Sequence, residues 1–525
     1  MKKLISVLMT VLMLMTLVVP GMSVLAADKQ VTVYIEGYGH GIYSDTKNPS
    51  AENQIFPTES ILEPLMGIFN DLTKDLVNGL VTGDYTEYCD RIYNAIAPAY
   101  ADVKLDKNGE ATDGSGCGKD MLTDSYYMEN YVNANNIKIL FEYDWRLSVE
   151  HNAEILEKFI DRVCREQNVS KVNLLGRCLG GNVVSAYLQN GKNLHRINDV
   201  VMLIASTEGV DFIGALFSGK IKLDAEAVDN WANYFLSQEG IITDPAMNDF
   251  VTSLVSFINQ IKVLGFGLDF VQMILDEVKE NVLARTVRDT YGSFPSYWAM
   301  VPDEYYDNAI DFIFNTDELK AEYAGLIEKA DSYHDNIQIT ARDRMAELKA
   351  QGKDFLVISK YNYPNFPLSK DADAQSDGTA LTSATSFGAV CAPYEKVLSK
   401  GYINSLTEAE KKYLSPDNMI DASKCLFPDT TWFIKNCYHN NFPHSMDKLI
   451  VRFFATENMT VFTDTVTYPQ FVDYSKETGE ITPVEGPDDL PTETEKTLVV
   501  FIRFFTNFIN FIKKLLNGEL GSLFG

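Results

Sequence analysis

The sequence is short of positive charge: 45 Lys and Arg stand against 73 Asp and Glu, a net charge of −28 at pH 7. So acidic a surface repels phosphate backbones and disfavours nucleic acid and anionic lipid as partners, while leaving neutral esters open. There is no His-Glu-x-x-His and no Cys-x-x-Cys, so no metal centre is expected. Gly37-x-Gly39 lacks the third glycine of a dinucleotide loop. The run from Gly176 to Gly181 has the spacing of a phosphate loop, but Asn182 stands where that loop needs lysine. No cofactor is therefore expected. Beyond the N-terminus no apolar run reaches 18 residues, and there is no internal repeat. What is present is globular in composition, with 46% hydrophobic and 22% charged residues.

Lys2 and Lys3 precede an apolar stretch over residues 4–19, broken by Pro20 and Gly21 and followed by Leu25-Ala26-Ala27. This order predicts a secretory signal peptide over 1–27 and places the mature chain outside the cell or on the outer face of its envelope. The Lys-Lys start and the Met-rich run have a bacterial character. A retained anchor is the alternative.

Residues 31–35 (VTVYI), 137–141 (IKILF), 172–175 (VNLL), 200–205 (VVMLIA) and 355–358 read as buried strands. Between them, residues 149–165 carry apolar side chains at helical spacing, and a second helix begins at Asn182. Apolar strands alternating with helices predict an α/β fold with a mostly parallel sheet covered on both faces. One domain over 28–455 is expected, with a helical cap at about 209–350. An earlier insertion, around 55–125, contains a hairpin-like turn at Asn108-Gly109. A small β extension over 456–485, an acidic linker over 486–497 and an amphipathic helix over 498–525 complete the chain.

The chemistry is carried by one turn. VNLL runs into Gly176-Arg177-Cys178-Leu179-Gly180-Gly181 and then into a helix. Strand, Gly-x-nucleophile-x-Gly turn and helix make the nucleophile elbow of α/β-hydrolases, with Cys178 at the position of the nucleophile. The flanking glycines, Gly176 and Gly180, avoid clashes in a sharp turn. The helix N-terminus favours a thiolate and later an oxyanion. Seven cysteines cannot all pair within one chain, so Cys178 is the odd one if the other six form bridges. Cys89 with Cys117 is the favoured bridge, and all six can equally be reduced.

A thiol nucleophile needs a base and an orienting acid, in the chain order nucleophile, acid, histidine. Of six histidines, only His439 and His444 come late enough; His439 is preferred because it follows a short apolar stretch. His40 lies in the first glycine loop, where it orients backbone, contacts substrate or is purely structural. For the acid, Asp377 in Ser376-Asp377-Gly378-Thr379 is preferred, with Asp371 and Asp373 as rivals. The backbone amides of Tyr38 and Leu179 are the expected oxyanion donors.

Three segments together resemble the lecithin:cholesterol acyltransferase and lysosomal phospholipase A2-like branch of the α/β-hydrolases. They are Tyr143-Asp144-Trp145-Arg146, the stretch Ser293-Phe294-Pro295-Ser296-Tyr297-Trp298-Ala299-Met300-Val301-Pro302, and Ser376-Asp377-Gly378-Thr379. The resemblance spans roughly residues 30–450. It implies the α/β-hydrolase fold with a cap, and oxyanion amides at Tyr38 and Leu179. That family uses serine, usually preceded by histidine, where this chain has Arg177-Cys178. Gly-x-Cys-x-Gly-Gly instead resembles the elbow of polyester synthases and, more loosely, of dienelactone hydrolases.

The expectation is thus a secreted acyl-ester hydrolase with a Cys178–His439–Asp377 triad, acting on an acyl-ester or lipid-like substrate through a thioester. An O-acyltransferase on lipid or sterol-like alcohols and a noncatalytic surface-binding protein are the alternatives. Apolar residues over 498–516 recur at helical spacing, with five phenylalanines. They fit either a membrane or lipid surface or packing on protein.

Overall fold

A computed structural model describes residues 29–56, 71–72, 74–76, 78–224, 227, 230–231 and 268–486. The expected signal peptide, residues 232–267 of the cap, most of the linker and the terminal amphipathic helix lie outside the described residues.

Nine strands form one sheet: β1 (Gln30–Ile35), β2 (Met128–Asn130), β3 (Asn136–Phe141), β4 (Val172–Arg177), β5 (Ile197–Leu203), β6 (Asp354–Tyr361), β7 (Thr431–Lys435), β8 (Phe471–Tyr474) and β9 (Ile481–Pro483). Their order across the sheet is β9-β8-β7-β6-β5-β4-β1-β3-β2. The strands from β3 to β8 pair in parallel, and the two edges, β2 and β9, are antiparallel. The mixed α/β architecture with a mostly parallel sheet therefore follows the sequence pattern.

Side chains alternate across this sheet, and both faces are apolar. Leu174, Val200, Met202, Phe355 and Val357 join the larger core on one face. Their neighbours Leu175, Val201, Leu203, Leu356 and Ile358 join a second core on the other. The period of two, with both faces buried, explains the unbroken apolar runs of β4 to β6. On the first face lie α1 (Val149–Gln167) and α2 (Leu179–Asn190). Ser148 caps α1 by accepting from the His151 amide, and Asn168, in the left-handed region, ends it. Its stripe of Val149, Ala153, Leu156, Ile160 and Val163 is buried as the spacing predicts. On the second face α3 (His444–Ala455) inserts Met446, Leu449 and Ile450.

The structure refines the sequence reading in several places. Of the two β segments expected in the small extension, 470–474 is β8, which with β9 adds to the edge of the main sheet, whereas 460–467 forms turns. The hairpin-like turn at Asn108-Gly109 is present: the Asp106 amide donates to the Glu110 carbonyl at 3.0 Å and the Gly109 amide to the Asp106 carbonyl at 2.9 Å, while Asp106 Oδ1 accepts the amides of Asn108 and Glu110. The helix Ala341–Ala350, at the end of the expected cap, lies against α2, where Arg344 Nε donates to the Leu188 carbonyl at 2.9 Å. Finally, all seven cysteines are free. Cys89 packs in a small cluster with Leu72, Tyr88 and Ile274, whereas Cys117 packs on the main core, so no bridge joins them.

The insertion before β2 is fastened instead by Arg146, which is fully buried. Its guanidinium pairs with Asp144 at 2.7 Å and donates to the Val103 carbonyl and Ser115 Oγ, both at 3.1 Å. Such a charge is tolerated in the interior only because its donors are matched.

The N-terminus of α2 approaches the end of β1 closely. A Cβ on Gly180 would lie 2.1 Å from the Ile35 carbonyl oxygen and 2.6 Å from that of Glu36. Gly180→Ala is predicted to cost about 1–3 kcal/mol, the usual range for overpacking. Thermal unfolding measures this; an unchanged midpoint would contradict the close approach.

Candidate active site

The C-terminal ends of β1, β4, β6 and β7 bring four loops together. From β4 the chain turns at Cys178, with φ 50° and ψ −124°, directly into α2. A β-substituted residue in this region is strained by the order of 1–2 kcal/mol. The surroundings hold it there. The Cys178 amide donates to the Leu203 carbonyl at 3.1 Å, and its own carbonyl accepts from the amides of Gly181 at 2.8 Å and Ser206 at 3.2 Å. The turn is thus tied to the end of β5, with its thiol at the head of α2.

The loop after β7 carries His439, and the loop after β6 carries Asp377, which is fully buried. His439 Nδ1 lies 2.7 Å from Asp377 Oδ2, and the His439 amide donates to the Asp377 carbonyl at 2.9 Å. The other carboxylate oxygen accepts the amides of Thr379 at 2.9 Å and Ala380 at 2.8 Å. A carboxylate only accepts, so Nδ1 carries the proton and Nε2 is left as the basic nitrogen. On its other side the imidazole interacts with the Cys178 thiol through charge and hydrogen bonding.

Electrostatics follow from this arrangement. Burial alone would push the Cys178 thiol up, but the charge and hydrogen bond of His439, with Arg177 and the Leu179 amide, hold it below the ordinary thiol range. Burial alone would lower His439; Asp377 and Cys178 overcome it and raise the imidazole to about 9. Asp377 is held below the usual carboxylate range, because His439, the Ala380 amide and Lys360 outweigh its burial. The three groups favour a thiolate, an imidazolium and a carboxylate in a row.

Of the expected oxyanion donors, Leu179 begins α2 directly after Cys178, and its amide helps to lower the thiol. Tyr38 follows Gly37, where a Cβ would lie 2.9 Å from Cys178 Cβ and 3.5 Å from its sulfur. The loop between them is bracketed by two residues of the Tyr143-Asp144-Trp145-Arg146 segment. Tyr143 Oη donates to the Glu36 carbonyl at 2.7 Å, and Trp145 Nε1 to the His40 carbonyl at 2.9 Å. The Tyr38 ring packs edge-on against Trp145, Phe56 and Tyr297, with centroids 4.5, 5.4 and 5.7 Å away. Tyr38 is 37% exposed and Phe442, on the histidine loop, 36%. Two aromatic side chains thus stand on the loops that flank the thiol.

The rival residues lie elsewhere. His444 starts α3, half exposed, and faces Asp447 at 3.8 Å. Asp371 pairs with Lys370 at 2.8 Å. His40 packs edge-on against Tyr143, its Nε2 buried without a protein partner, and burial lowers its pKa. Asp211, Glu304 and Asp371 are close enough to share a cation. However, the Lys370 ammonium already sits 3.2 Å from Glu304, and Ser369 and Tyr305 donate to Asp211.

One residue of the site, Lys360, escapes the sequence reading. Arg177, beside the nucleophile, helps by its charge to hold the Cys178 thiol low. It pairs with Glu36 at 3.0 Å, donates to Asn440 Oδ1 at 2.7 Å and stacks on Phe442 at 4.0 Å. Lys360 in β6 is fully buried against the histidine loop. A lone lysine in an apolar strand, FLVISKY, was the available signal.

No family model and no curated protein matches this chain. Among solved structures it is similar to a lipase-esterase related protein from Clostridium acetobutylicum ATCC 824. The two are 14% identical, and the match covers 59% of this chain and 95% of that one, with a TM-score of 0.16. A likeness this weak carries no argument about fold or chemistry.

The lowered thiol and raised imidazole predict that Cys178 is alkylated by iodoacetamide well below the ordinary thiol range. The imidazolium that favours the thiolate at low pH keeps its proton up to about pH 9. Asp377→Asn removes the charge that raises His439, so the onset should move upward and the rate near pH 6 fall by roughly tenfold. An onset in Asp377→Asn equal to the wild type would contradict the coupling.

Proposed function

We propose that this chain is an ester-cleaving enzyme of the α/β-hydrolase fold that works through an acyl-thioester on Cys178. The observation that carries the reading is the 2.7 Å contact between His439 Nδ1 and Asp377 Oδ2, with the imidazole's other side on a thiol held in a strained strand–helix turn. Three residues 62 and more positions apart serve no packing purpose in this order of charge.

In the proposed reaction the Cys178 thiolate attacks the ester carbonyl carbon and a C–S bond forms. The carbonyl oxygen becomes an oxyanion, held by the amides of Leu179 and Tyr38. As it collapses, the C–O bond breaks and the departing alkoxide takes the proton from His439 Nε2. His439 then accepts a proton from water, the hydroxide adds to the thioester, and the C–S bond breaks to return the thiolate. Asp377 holds the Nδ1–H tautomer and the charge on the ring throughout. An alcohol in place of water gives acyl transfer by the same steps. The aromatic rings of Tyr38, Phe56, Trp145 and Tyr297 favour an apolar acyl group. The N-terminal pattern supports action outside the cell.

The purified protein should release nitrophenol from p-nitrophenyl butyrate, and Cys178→Ala should lower kcat by roughly 10³-fold or more. Asp377→Asn should lower it by about 10²- to 10⁴-fold with KM little changed, because its work is done in the transition state. If Cys178→Ala cleaves the ester as fast as the wild type, the reading fails. Adding a competing alcohol separates the two acceptors: constant free-acid yield means hydrolysis.

A further inference from the structure

The loop that carries His439 leaves β7 beside the end of β6, where Ile434 and Lys360 are register partners. Lys360 has no exposure to solvent. Its ammonium donates to three carbonyls of that loop: Tyr438 at 3.1 Å, His439 at 3.0 Å and Asn441 at 2.7 Å. Three donors on three carbonyls satisfy the ammonium completely. Above it lies the Phe442 ring, 4.3 Å from Lys360 Nζ and 4.0 Å from Arg177 Cζ. One aromatic side chain thus sits between the cation beneath the histidine loop and the cation beside the nucleophile. Arg177 reaches the same loop through Asn440.

A buried cation is costly, and a loop carbonyl is satisfied more cheaply by an amide or a water. A lysine at this place needs a reason in charge as well as in hydrogen bonding. The groups facing it supply one. Burial is the largest influence on Lys360 and holds it below the ordinary lysine range, with Arg177 acting the same way; Cys437 and Asp377 face it and favour its charged form. Asp377 in turn is influenced by His439 and Lys360 together, and His439 by Asp377 and Cys178. Glu36, across the turn, is paired with Arg177.

We propose that Lys360 is a positioning residue: its buried ammonium fastens the loop that holds His439 between Asp377 and Cys178, and its charge keeps that carboxylate–imidazolium–thiolate row ionised. It touches no reacting atom. The proposal rests on the catalytic reading above, and its test does not need turnover. The thiolate absorbance of Cys178, taken as wild type minus Cys178→Ala, is followed against pH in Lys360→Gln and Lys360→Arg.

Removing the positive charge disfavours the thiolate and frees the histidine loop, and both raise the pH at which thiolate appears. In Lys360→Gln, which keeps two donors and loses the charge, the onset should rise by about one pH unit. Its kcat should fall roughly tenfold while KM stays within about twofold. Lys360→Arg keeps the charge, and its onset should stay within about 0.3 unit of the wild type. A wild-type onset in folded Lys360→Gln overturns the proposal, and so does an Arg variant displaced as far as the Gln variant. If Lys360→Gln does not fold, Lys360→Arg decides alone: a retained onset supports the proposal and a lost one overturns it. Absence of any Cys178-dependent ester cleavage in the wild type defeats the enzymatic reading instead, and leaves the thiolate titration to judge Lys360.

Discussion

Asp377 and His439 meet at 2.7 Å in a fully buried place, and the rest of the site depends on that contact. Without the carboxylate, burial would keep the imidazole neutral; with it, the imidazole holds a proton to about pH 9. That charge is the largest influence offsetting the burial of the Cys178 thiol. The carboxylate is itself kept ionised by two backbone amides, the imidazole and Lys360. Each charge in the row is affordable only because its neighbour is present, which is why the groups are coupled rather than additive.

The scaffold makes this coupling possible by convergence. Parallel strands put all their C-terminal ends on one edge, so β1, β4, β6 and β7 deliver four loops to one place. Gly180 lets α2 approach the end of β1, which sets the Gly37–Tyr38 loop against the thiol. Tyr143 and Trp145 tie the two ends of that loop from β3's C-terminal segment. Arg177 and Lys360 tie the histidine loop from β4 and β6. The backbone strain at Cys178 is sustained by its hydrogen bonds to Leu203, Gly181 and Ser206.

Much of this was legible in the amino-acid order. Apolar runs marked the central strands because both faces of the sheet are buried, and periodicity marked α1 because one face only is. Cys178, Asp377 and His439 were legible because turn chemistry and chain order are local or ordinal properties. Lys360 was not, since its partners are carbonyls almost 80 residues away, and backbone atoms leave no trace in composition. Of the two β segments read in the small extension, 470–474 is β8, which pairs with β7 from more than 30 residues away, while the β-rich composition of 460–467 serves turns. The expected Cys89–Cys117 bridge failed for a similar reason: spacing cannot tell that the two thiols belong to different cores.

The central claim is that Cys178 becomes acylated. The most direct test is intact-mass and peptide mass spectrometry of the protein quenched in acid shortly after mixing with a butyryl ester. The account predicts a butyryl adduct on the peptide containing Cys178, labile to hydroxylamine and absent from Cys178→Ala. Ester cleavage without any adduct on that peptide, or an adduct that persists in Cys178→Ala, would contradict it.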